Sequence, residues 1–190
     1  MGKVRFKYDL SGQDCGHTLC VVPSLATALL AEIADGFAAA TDLWRPLVTS
    51  DLPQRRCERL LVDEHYEVWL LQWGAGHGVE LHDHGSSAAA FTVVQGELID
   101  ISPMTDDTIC RRTLTVGNRR LLRPGAVHDV VNASSTPAVS VHVYSPPLTS
   151  MTYYDPLTLT PLRTEPVPFA PPVLDSVDPR ELHPASSTSR

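Results

Sequence analysis

Two histidines separated by a single residue, His82 and His84, stand in a segment whose composition favours an extended strand. Side chains two residues apart on a strand point to the same face, and a third imidazole can approach from a neighbouring strand. His128, in the phrase Pro-Gly-Ala-Val-His at residues 124–128, is the candidate for that third position. The three imidazoles together predict a site for one metal ion.

The stretch that follows His84 contains no acidic residue or cysteine that would complete the ligand set. Residues 85–90 read Gly-Ser-Ser-Ala-Ala-Ala. Three neutral ligands leave the charge of a divalent cation uncompensated and its coordination shell incomplete. Such a site suits an anionic, chelating substrate together with a second small molecule.

Length and charge exclude several classes of protein. A chain of 190 residues is long enough for one domain with a genuine core, and too short for two full domains to be expected. The formal net charge is -7, with 22 acidic residues against 15 lysines and arginines, and no basic stripe is present. This balance argues against nucleic acid as a partner.

The spacing of the cysteines and the length of the apolar runs indicate where in the cell the protein is expected. None of the four cysteines forms a Cys-x-x-Cys pair, and the N-terminus lacks the pattern of a signal peptide. We therefore expect a cytoplasmic protein in a reducing environment. The apolar runs are short and interrupted by charged residues, so no membrane span is expected. A monomer is the expected state of the chain.

The chain divides into three segments by composition. Residues 1–50 are predicted to be an N-terminal helical segment, with Ser24 as a plausible N-cap of the main helix. Residues 51–160 have the pattern of a β-domain. Residues 161–190 form a proline-rich C-terminal tail. We expect the tail to lie extended on the domain through about Pro172 and to be disordered beyond it.

Short β-rich runs punctuated by Gly and Pro fill the middle segment. They are predicted at Tyr66–Trp73, Val79–His84, Ala89–Val94, Glu97–Ile101, Ile109–Val116, Arg120–Leu122, Val127–Val131 and Ala138–Tyr144. Many short strands at regular spacing indicate a mainly β fold, either a sandwich or a barrel. The N-terminal helices are then expected to pack outside it.

Two phrases of this segment resemble the characteristic motifs of the cupin superfamily. They are Gly78-x3-His82-x-His84-x11-Gly96 and Gly117-x6-Pro124-Gly125-x2-His128-x3-Asn132. The resemblance implies a cupin-type small β-barrel, or jelly roll, with the histidines pointing inward. Many cupins carry a glutamate five residues after the second histidine, where this chain has Ala89.

A narrower resemblance, to cysteine dioxygenase, extends from about Arg59 to Pro147. It is carried by Trp73-Gly74-x-Gly76-His77-Gly78-x3-His82-Asp83-His84 and by Pro137-Ala138-Val139-Ser140-Val141-His142-Val143-Tyr144-Ser145-Pro146-Pro147. The resemblance implies an enzyme that oxidises L-cysteine with O2 to cysteine sulfinic acid, using one Fe(II) per chain. L-cysteine and O2 are then its expected small-molecule partners.

The resemblance also implies roles for particular residues. His82, His84 and His128 would be the iron ligands, and Arg59 would hold the substrate carboxylate. A serine, histidine and tyrosine relay beside the metal corresponds to Ser140, His142 and Tyr144, which complete the implied catalytic set.

The spacing of the relay residues supports the same grouping independently. Ser140, His142 and Tyr144 alternate with three valines, so the polar groups share one face of a strand. An inward polar face would belong to a site, whereas an outward one would only meet solvent.

Two departures from the animal enzymes of the family stand near the site. Animal members carry a cysteine that cross-links to the tyrosine, and Ala89 takes its place here, as in bacterial members. Tyr144 is therefore expected to be uncrosslinked. Cys57 replaces a tyrosine that precedes the arginine, and we interpret it as a small buried hydrophobe.

Other functions fit part of the pattern. Related enzymes acting on 3-mercaptopropionate carry glutamine at the position of Arg59, so arginine favours cysteine over that thiol. A non-catalytic metal-binding cupin that senses a small ligand, or an isomerase using the metal as a Lewis acid, would need only the histidines. The polar face of the relay strand argues against a simple sensor.

Overall fold

A computed structural model of the chain describes residues 24–50, 52, 54–103 and 108–168. The part of the predicted N-terminal helical segment before residue 24 lies outside these described residues, and so does the disorder expected beyond Pro172. Within them the chain begins with helices and continues as strands, in the predicted order.

The N-terminal helices are α1 (Thr27–Ala39) and α2 (Thr41–Trp44), followed by a 3₁₀ turn (Arg45–Leu47). The prediction that Ser24 caps the main helix is wrong, because the N-cap is Ala26 and no side chain caps it. The Ser24 hydroxyl instead donates to the backbone carbonyl of Ser145 at 2.8 Å. Within the described part of the chain, no helix combines the length and the apolar character needed to cross a membrane.

Eleven strands follow in the described residues. They are β1 (Arg56–Val62), β2 (Glu67–Trp73), β3 (Gly78–Asp83), β4 (Ala88–Gln95), β5 (Glu97–Pro103), β6 (Ile109–Thr115), β7 (Arg119–Leu122), β8 (His128–Val131), β9 (Ala138–Ser145), β10 (Ser150–Tyr154) and β11 (Pro161–Pro166). The eight predicted runs match β2 to β9. The sequence patterns did not single out β1, β10 or β11 as strands.

The strands form two antiparallel sheets, one in the order β1-β2-β9-β4-β7 and one in the order β11-β10-β3-β8-β5-β6. Their facing sides share one apolar core, to which Trp69 and Phe91 contribute from the first sheet and Leu98 and Val130 from the second. The helices pack outside the five-stranded sheet. This arrangement confirms the predicted mainly β, cupin-type barrel with N-terminal helices outside it.

Strand β9 lies in the centre of the five-stranded sheet, and every residue of it is buried. Its three valines, Val139, Val141 and Val143, belong to the core between this sheet and α1. The alternate residues Ser140, His142 and Tyr144 therefore face the opposite way, into the barrel. The predicted polar face is an inward one because the helix occupies the other side.

The barrel continues into the segment assigned to the tail. Strand β11 pairs with β10, so residues 161–166 belong to the six-stranded sheet rather than to a separate tail. Prolines are tolerated here because Pro161 and Pro166 stand at the two ends of an edge strand, where a missing N–H breaks little of the ladder. The segment that follows residue 160 is thus extended and paired with β10 through Pro166.

Packing of α1 on the sheet predicts a sharp contrast between two substitutions. Phe37 is 1% exposed in the core under α1, whereas Leu29 on the same helix is 37% exposed. Phe37→Ala is expected to lower the free energy of unfolding by about 3–5 kcal/mol, because it leaves a cavity. Leu29→Ala should lower it by less than about 1 kcal/mol. Urea unfolding measures both values, and equal losses would contradict the described packing.

Candidate metal centre

Strand pairing brings the three predicted histidines together. His82 is near the end of β3, His84 follows that strand directly, and His128 is the first residue of β8. Because β3 and β8 are antiparallel neighbours, His82 stands opposite His128 in the ladder. Two short segments separated by more than forty residues along the chain thus present all three imidazoles to the barrel interior.

The three imidazoles form a tight buried group. His82, His84 and His128 are 3%, 4% and 2% exposed. One nitrogen from each lies within 4.8 Å of the others, and the Nε2 atoms of His82 and His84 are 3.1 Å apart. The Nε2 atom of His128 is buried without a hydrogen-bond partner. Three imidazole nitrogens that converge on one point have the chemistry of a metal site.

Hydrogen bonds on the far side of two rings orient those nitrogens. His82 donates from Nδ1 to the backbone carbonyl of Glu80 at 2.7 Å. His128 donates from Nδ1 to the carboxylate of Asp100 at 2.8 Å. With the proton held on Nδ1, the lone pair of Nε2 points to the centre of the group.

Burial also keeps the rings of His82 and His84 neutral. It lowers the pKa of His82 to about 3, with a further contribution from His128. Burial and the neighbouring His82 likewise lower the pKa of His84 well below its ordinary value. Neutral imidazole is the form that ligates a metal ion.

Asp100, a residue that sequence reasoning missed, anchors the group from behind. Its fully buried carboxylate contacts Arg120 Nε at 2.8 Å and Arg112 Nη1 at 3.4 Å, besides His128. Burial alone would raise the pKa of Asp100, but the hydrogen bond from His128 and the charges around it lower it overall. The signal that could have found it is an acidic residue between Ile99 and Ile101 in the middle of β5.

The relay residues form a continuous hydrogen-bond chain on β9. Trp73 donates from Nε1 to Ser140 Oγ at 2.9 Å, and Ser140 Oγ lies 2.8 Å from His142 Nε2. His142 Nδ1 is 3.2 Å from the Tyr144 hydroxyl. Indole can only donate, so Ser140 accepts from Trp73, and the direction of the two bonds to His142 is set by the tautomer of that ring.

The end of this chain lies beside the histidine group. The ring of Tyr144 packs edge-on to that of His84, with centroids 5.0 Å apart. Phe91 stacks on His142 at 4.5 Å and fixes the plane of that ring. Ala89 stands directly opposite Tyr144 in the β4–β9 ladder, so a methyl group occupies the place next to the tyrosine.

Arg59 lies on β1, opposite Trp69 in the ladder. The guanidinium carbon is 4.8 Å from the centroid of the Trp69 ring, and Nε is 3.1 Å from the carboxylate of Glu67. Arg59 is 7% exposed and Glu67 is fully buried. The arginine therefore forms a buried ion pair that the sequence did not predict.

A cavity of about 420 Å³ opens onto the three histidines, His142 and Tyr144. Its walls are largely apolar and include Trp69, Leu71, Trp73, Val79, Val130, Leu148, Met151 and Tyr153. Arg55, Cys57 and residues 165–168 complete the lining. Cys57, interpreted from the sequence as buried, is instead exposed there. The volume suits a small molecule in contact with a metal ion.

Comparison with known proteins agrees with this site. The family model for cysteine dioxygenase type I matches residues 22–156. Cysteine dioxygenase type 1 of Danio rerio is 33% identical over 115 residues, covering 54% of this chain and 57% of that protein. The Bos taurus protein of the same name is 32% identical over 121 residues, covering 57% and 60%. The chain thus matches little more than half the length of these relatives.

Among solved structures, the chain is similar to a Klebsiella pneumoniae protein described as having a double-stranded β-helix domain. The TM-score between the two is 0.47, at 20% sequence identity. The match covers 54% of this chain and 85% of that one.

Loss of the Asp100 carboxylate is expected to weaken metal binding. Asp100→Asn removes the charge that holds the Nδ1 proton of His128, and changes of this kind lower metal affinity by roughly tenfold to a hundredfold. Glu97→Gln, an exposed position on the same strand, is the matched control and should bind as the wild type does. Competition with a chromophoric chelator measures both affinities, and unchanged affinity in Asp100→Asn would contradict the role of Asp100.

Proposed function

Because the chain belongs to the cysteine dioxygenase type I family, we propose that it is an Fe(II)-dependent dioxygenase that oxidises L-cysteine with O2 to cysteine sulfinic acid. The observation that carries the proposal is the shared cavity: three buried imidazoles and the Tyr144 hydroxyl, at the end of its hydrogen-bond chain, line the same small volume. A protein that only binds a metal ion, without catalysing a reaction, would not need the Ser140–His142–Tyr144 hydrogen-bond chain beside it.

The histidine group fits a divalent iron ion. Imidazole nitrogens are suitable ligands for iron, and the unpartnered Nε2 of His128 is a buried polar atom that a metal ion would satisfy. We propose His82, His84 and His128 as its ligands, with one ion per chain. Iron, when bound, supplies the redox chemistry that adds both atoms of O2 to the sulfur of cysteine.

Tyr144 is proposed to act as a proton-holding group beside the reacting sulfur. Burial raises the pKa of Tyr144, so the phenol stays protonated. Burial lowers the pKa of His142 well below its ordinary value, so that ring stays neutral and can donate only from one nitrogen. With His142 donating to the tyrosine oxygen, the Tyr144 proton is directed elsewhere, and the cavity is the space that its hydroxyl meets.

Ser140 is proposed to set the tautomer of His142. It accepts a hydrogen bond from Trp73, and we propose that its own proton goes to His142 Nε2 at 2.8 Å, which would leave the ring proton on Nδ1. The protons of Ser140, His142 and Tyr144 are then in place before substrate enters. Less reorientation of these groups is needed during the reaction.

The substrate carboxylate is proposed to bind on the β1 side of the cavity. The family resemblance implies Arg59 for this contact, and the guanidinium of Arg59 lies over Trp69, which lines the cavity. A positive charge on this side would fix which end of the amino acid faces the metal.

The proposal extends to the setting of the enzyme. We propose a monomer acting in the cytoplasm on small molecules, without nucleic acid or a membrane as partner. The net charge of -7 supports the exclusion of nucleic acid.

Oxygen uptake tests the proposed reaction. Protein loaded anaerobically with Fe(II) is expected to consume O2 when L-cysteine is added, in an amount equal to the sulfinate formed. His128→Ala should abolish uptake because it removes a ligand. His65→Ala is the control, since that side chain is half-exposed and lies away from the site. No cysteine-dependent uptake, or full uptake in His128→Ala, would overturn the proposal, and 3-mercaptopropionate in parallel tests the choice of thiol.

Removal of one hydroxyl tests the relay. Tyr144→Phe is expected to lower kcat by roughly a hundredfold with little change in iron content, because it removes one oriented donor. Tyr153→Phe is matched to it, since Tyr153 also lines the cavity but bonds only to Met151 among the described residues. Steady-state oxygen-electrode rates with measured iron content separate the two, and equal kcat values for both variants would refute the role of Tyr144.

A further inference from the structure

The last described residues of the chain build one wall of the cavity. Glu165, Pro166, Val167 and Pro168 all line it. They lie at the end of β11 and directly after it, on the side of the six-stranded sheet. They also lie beyond residues 22–156, the part of the chain that matches the family model. The motifs that place the metal ligands and the relay therefore do not define this wall.

Val167 has a defined position in the wall. Its side chain is half-buried and packs against the apolar core between the sheets, as do Met151 and Tyr153 of β10. Its backbone N–H donates to the carbonyl of Thr149 at 2.9 Å, which continues the β10–β11 pairing by one residue. Because the backbone is held by the sheet in this way, the isopropyl group of Val167 stays at the cavity surface.

Arg163 connects β11 to the strand that carries His82. In the ladders Arg163 stands opposite Tyr153, and Tyr153 stands opposite His82. The guanidinium carbon of Arg163 is 4.1 Å from the centroid of the Tyr153 ring, which is a cation–π contact. The centroids of the Tyr153 and His82 rings are 6.2 Å apart. One row of side chains thus runs across three strands from β11 to a proposed metal ligand.

Two carboxylates hold the guanidinium over that ring. Arg163 Nε lies 2.6 Å from the carboxylate of Glu165, and Nη2 contacts the carboxylate of Glu80 on β3. The backbone carbonyl of Glu80 is the group that accepts the hydrogen bond from His82 Nδ1. A single exposed ion pair contributes little, but here one cation joins two carboxylates and an aromatic ring. The network therefore ties the wall to the segment that positions His82.

This wall limits the space that a substrate can fill. The proposed carboxylate contact is on β1, in the five-stranded sheet, whereas Val167 lies on the side of the six-stranded sheet. A substrate that reaches from β1 to the histidines extends toward the second sheet. Its sulfur is the reacting atom, so the carbon that carries the sulfur is expected beside the histidine group. Substituents on that carbon would then meet the wall at Val167.

We propose that Val167 is a specificity-determining residue that limits the size of the substrate, and that Arg163 positions the wall that carries it. The inference rests on the proposed function, since it takes the ligand to be a small thiol with an amine and a carboxylate. The substrate class that it implies is an amino-acid thiol without branches on the carbon that carries the sulfur. Added methyl groups are discriminated by roughly tenfold to two-hundredfold in a closely packed site.

Anaerobic binding tests the size limit without turnover. Iron-loaded protein is titrated calorimetrically, under nitrogen, with L-cysteine and with L-penicillamine, which is L-cysteine with two methyl groups on the carbon that carries the sulfur. The wild type is expected to bind L-cysteine more tightly by roughly tenfold to two-hundredfold. Val167→Ala removes two methyl groups from the wall, so the ratio of the two affinities should fall by roughly tenfold.

Three further variants sharpen the test. Leu162→Ala truncates a side chain of β11 that is 60% exposed and lies outside the cavity lining, so it should keep the wild-type ratio. Val167→Leu adds bulk to the wall without leaving a cavity and should raise the ratio above that of the wild type. Arg163→Ala should lower the ratio by less than Val167→Ala does. Arg163→Lys keeps a cation for the Tyr153 ring and should restore part of that loss.

Several outcomes would overturn the inference. One is a ratio that stays the same in both Val167→Ala and Val167→Leu. Another is an equal loss of affinity for both ligands in Val167→Ala and in Arg163→Ala, which would mean that these residues only stabilise the fold.

Oxygen uptake separates this inference from the proposed reaction. A shifted ratio in a protein that binds L-cysteine but consumes no O2 would uphold the size limit while the dioxygenase proposal fails. Cysteine-dependent uptake with the same ratio in every variant would do the reverse. Absence of L-cysteine binding to the iron-loaded wild type would overturn both.

Discussion

The buried hydrogen bond between His128 and Asp100 is the constraint on which the site depends. Three imidazoles within 4.8 Å of one another lose their hydration, and any two that became charged together would repel each other. Asp100 keeps the His128 proton on the outer nitrogen, and Arg120 compensates the carboxylate. The result is a group of neutral donors that already face one point, so a metal ion meets an oriented site.

The two faces of β9 connect that site to the fold. Val139, Val141 and Val143 pack under α1, and this burial holds the strand in the centre of its sheet. The intervening residues then have no access to solvent, so Ser140, His142 and Tyr144 must satisfy one another. The packing of α1 on one face of β9 and the relay on the other face both follow from the alternation of valines and polar residues along the strand. Helix α1 thus helps to position the relay residues from the opposite side of the sheet.

Two arginines near the cavity, Arg55 and Arg59, have different surroundings. Arg59 Nε lies 3.1 Å from the Glu67 carboxylate inside the wall, and burial raises the pKa of that carboxyl group despite the nearby guanidinium. Arg55 stacks on Trp73 at the cavity surface, where its charge adds to that of a metal ion held by neutral ligands. An anionic substrate would therefore be drawn to a site with little negative charge of its own.

Local features could be predicted from the sequence alone: eight strand runs, the polar and apolar alternation on β9, and the histidine pair two residues apart. These follow from periodicity, which needs only neighbours along the chain. Family resemblance supplied iron as the metal and the roles of Arg59 and of the relay residues. Contacts between distant strands were decided only by the tertiary structure, because ladder register and packing set them. Asp100 meets His128 across 28 residues, and Glu67 meets Arg59 across the β1–β2 turn. Arg55 lines the cavity, whereas the neighbouring Arg56 is 49% exposed and pairs with Glu58. Only packing separates the two, since the direction and burial of a side chain are properties of the folded wall.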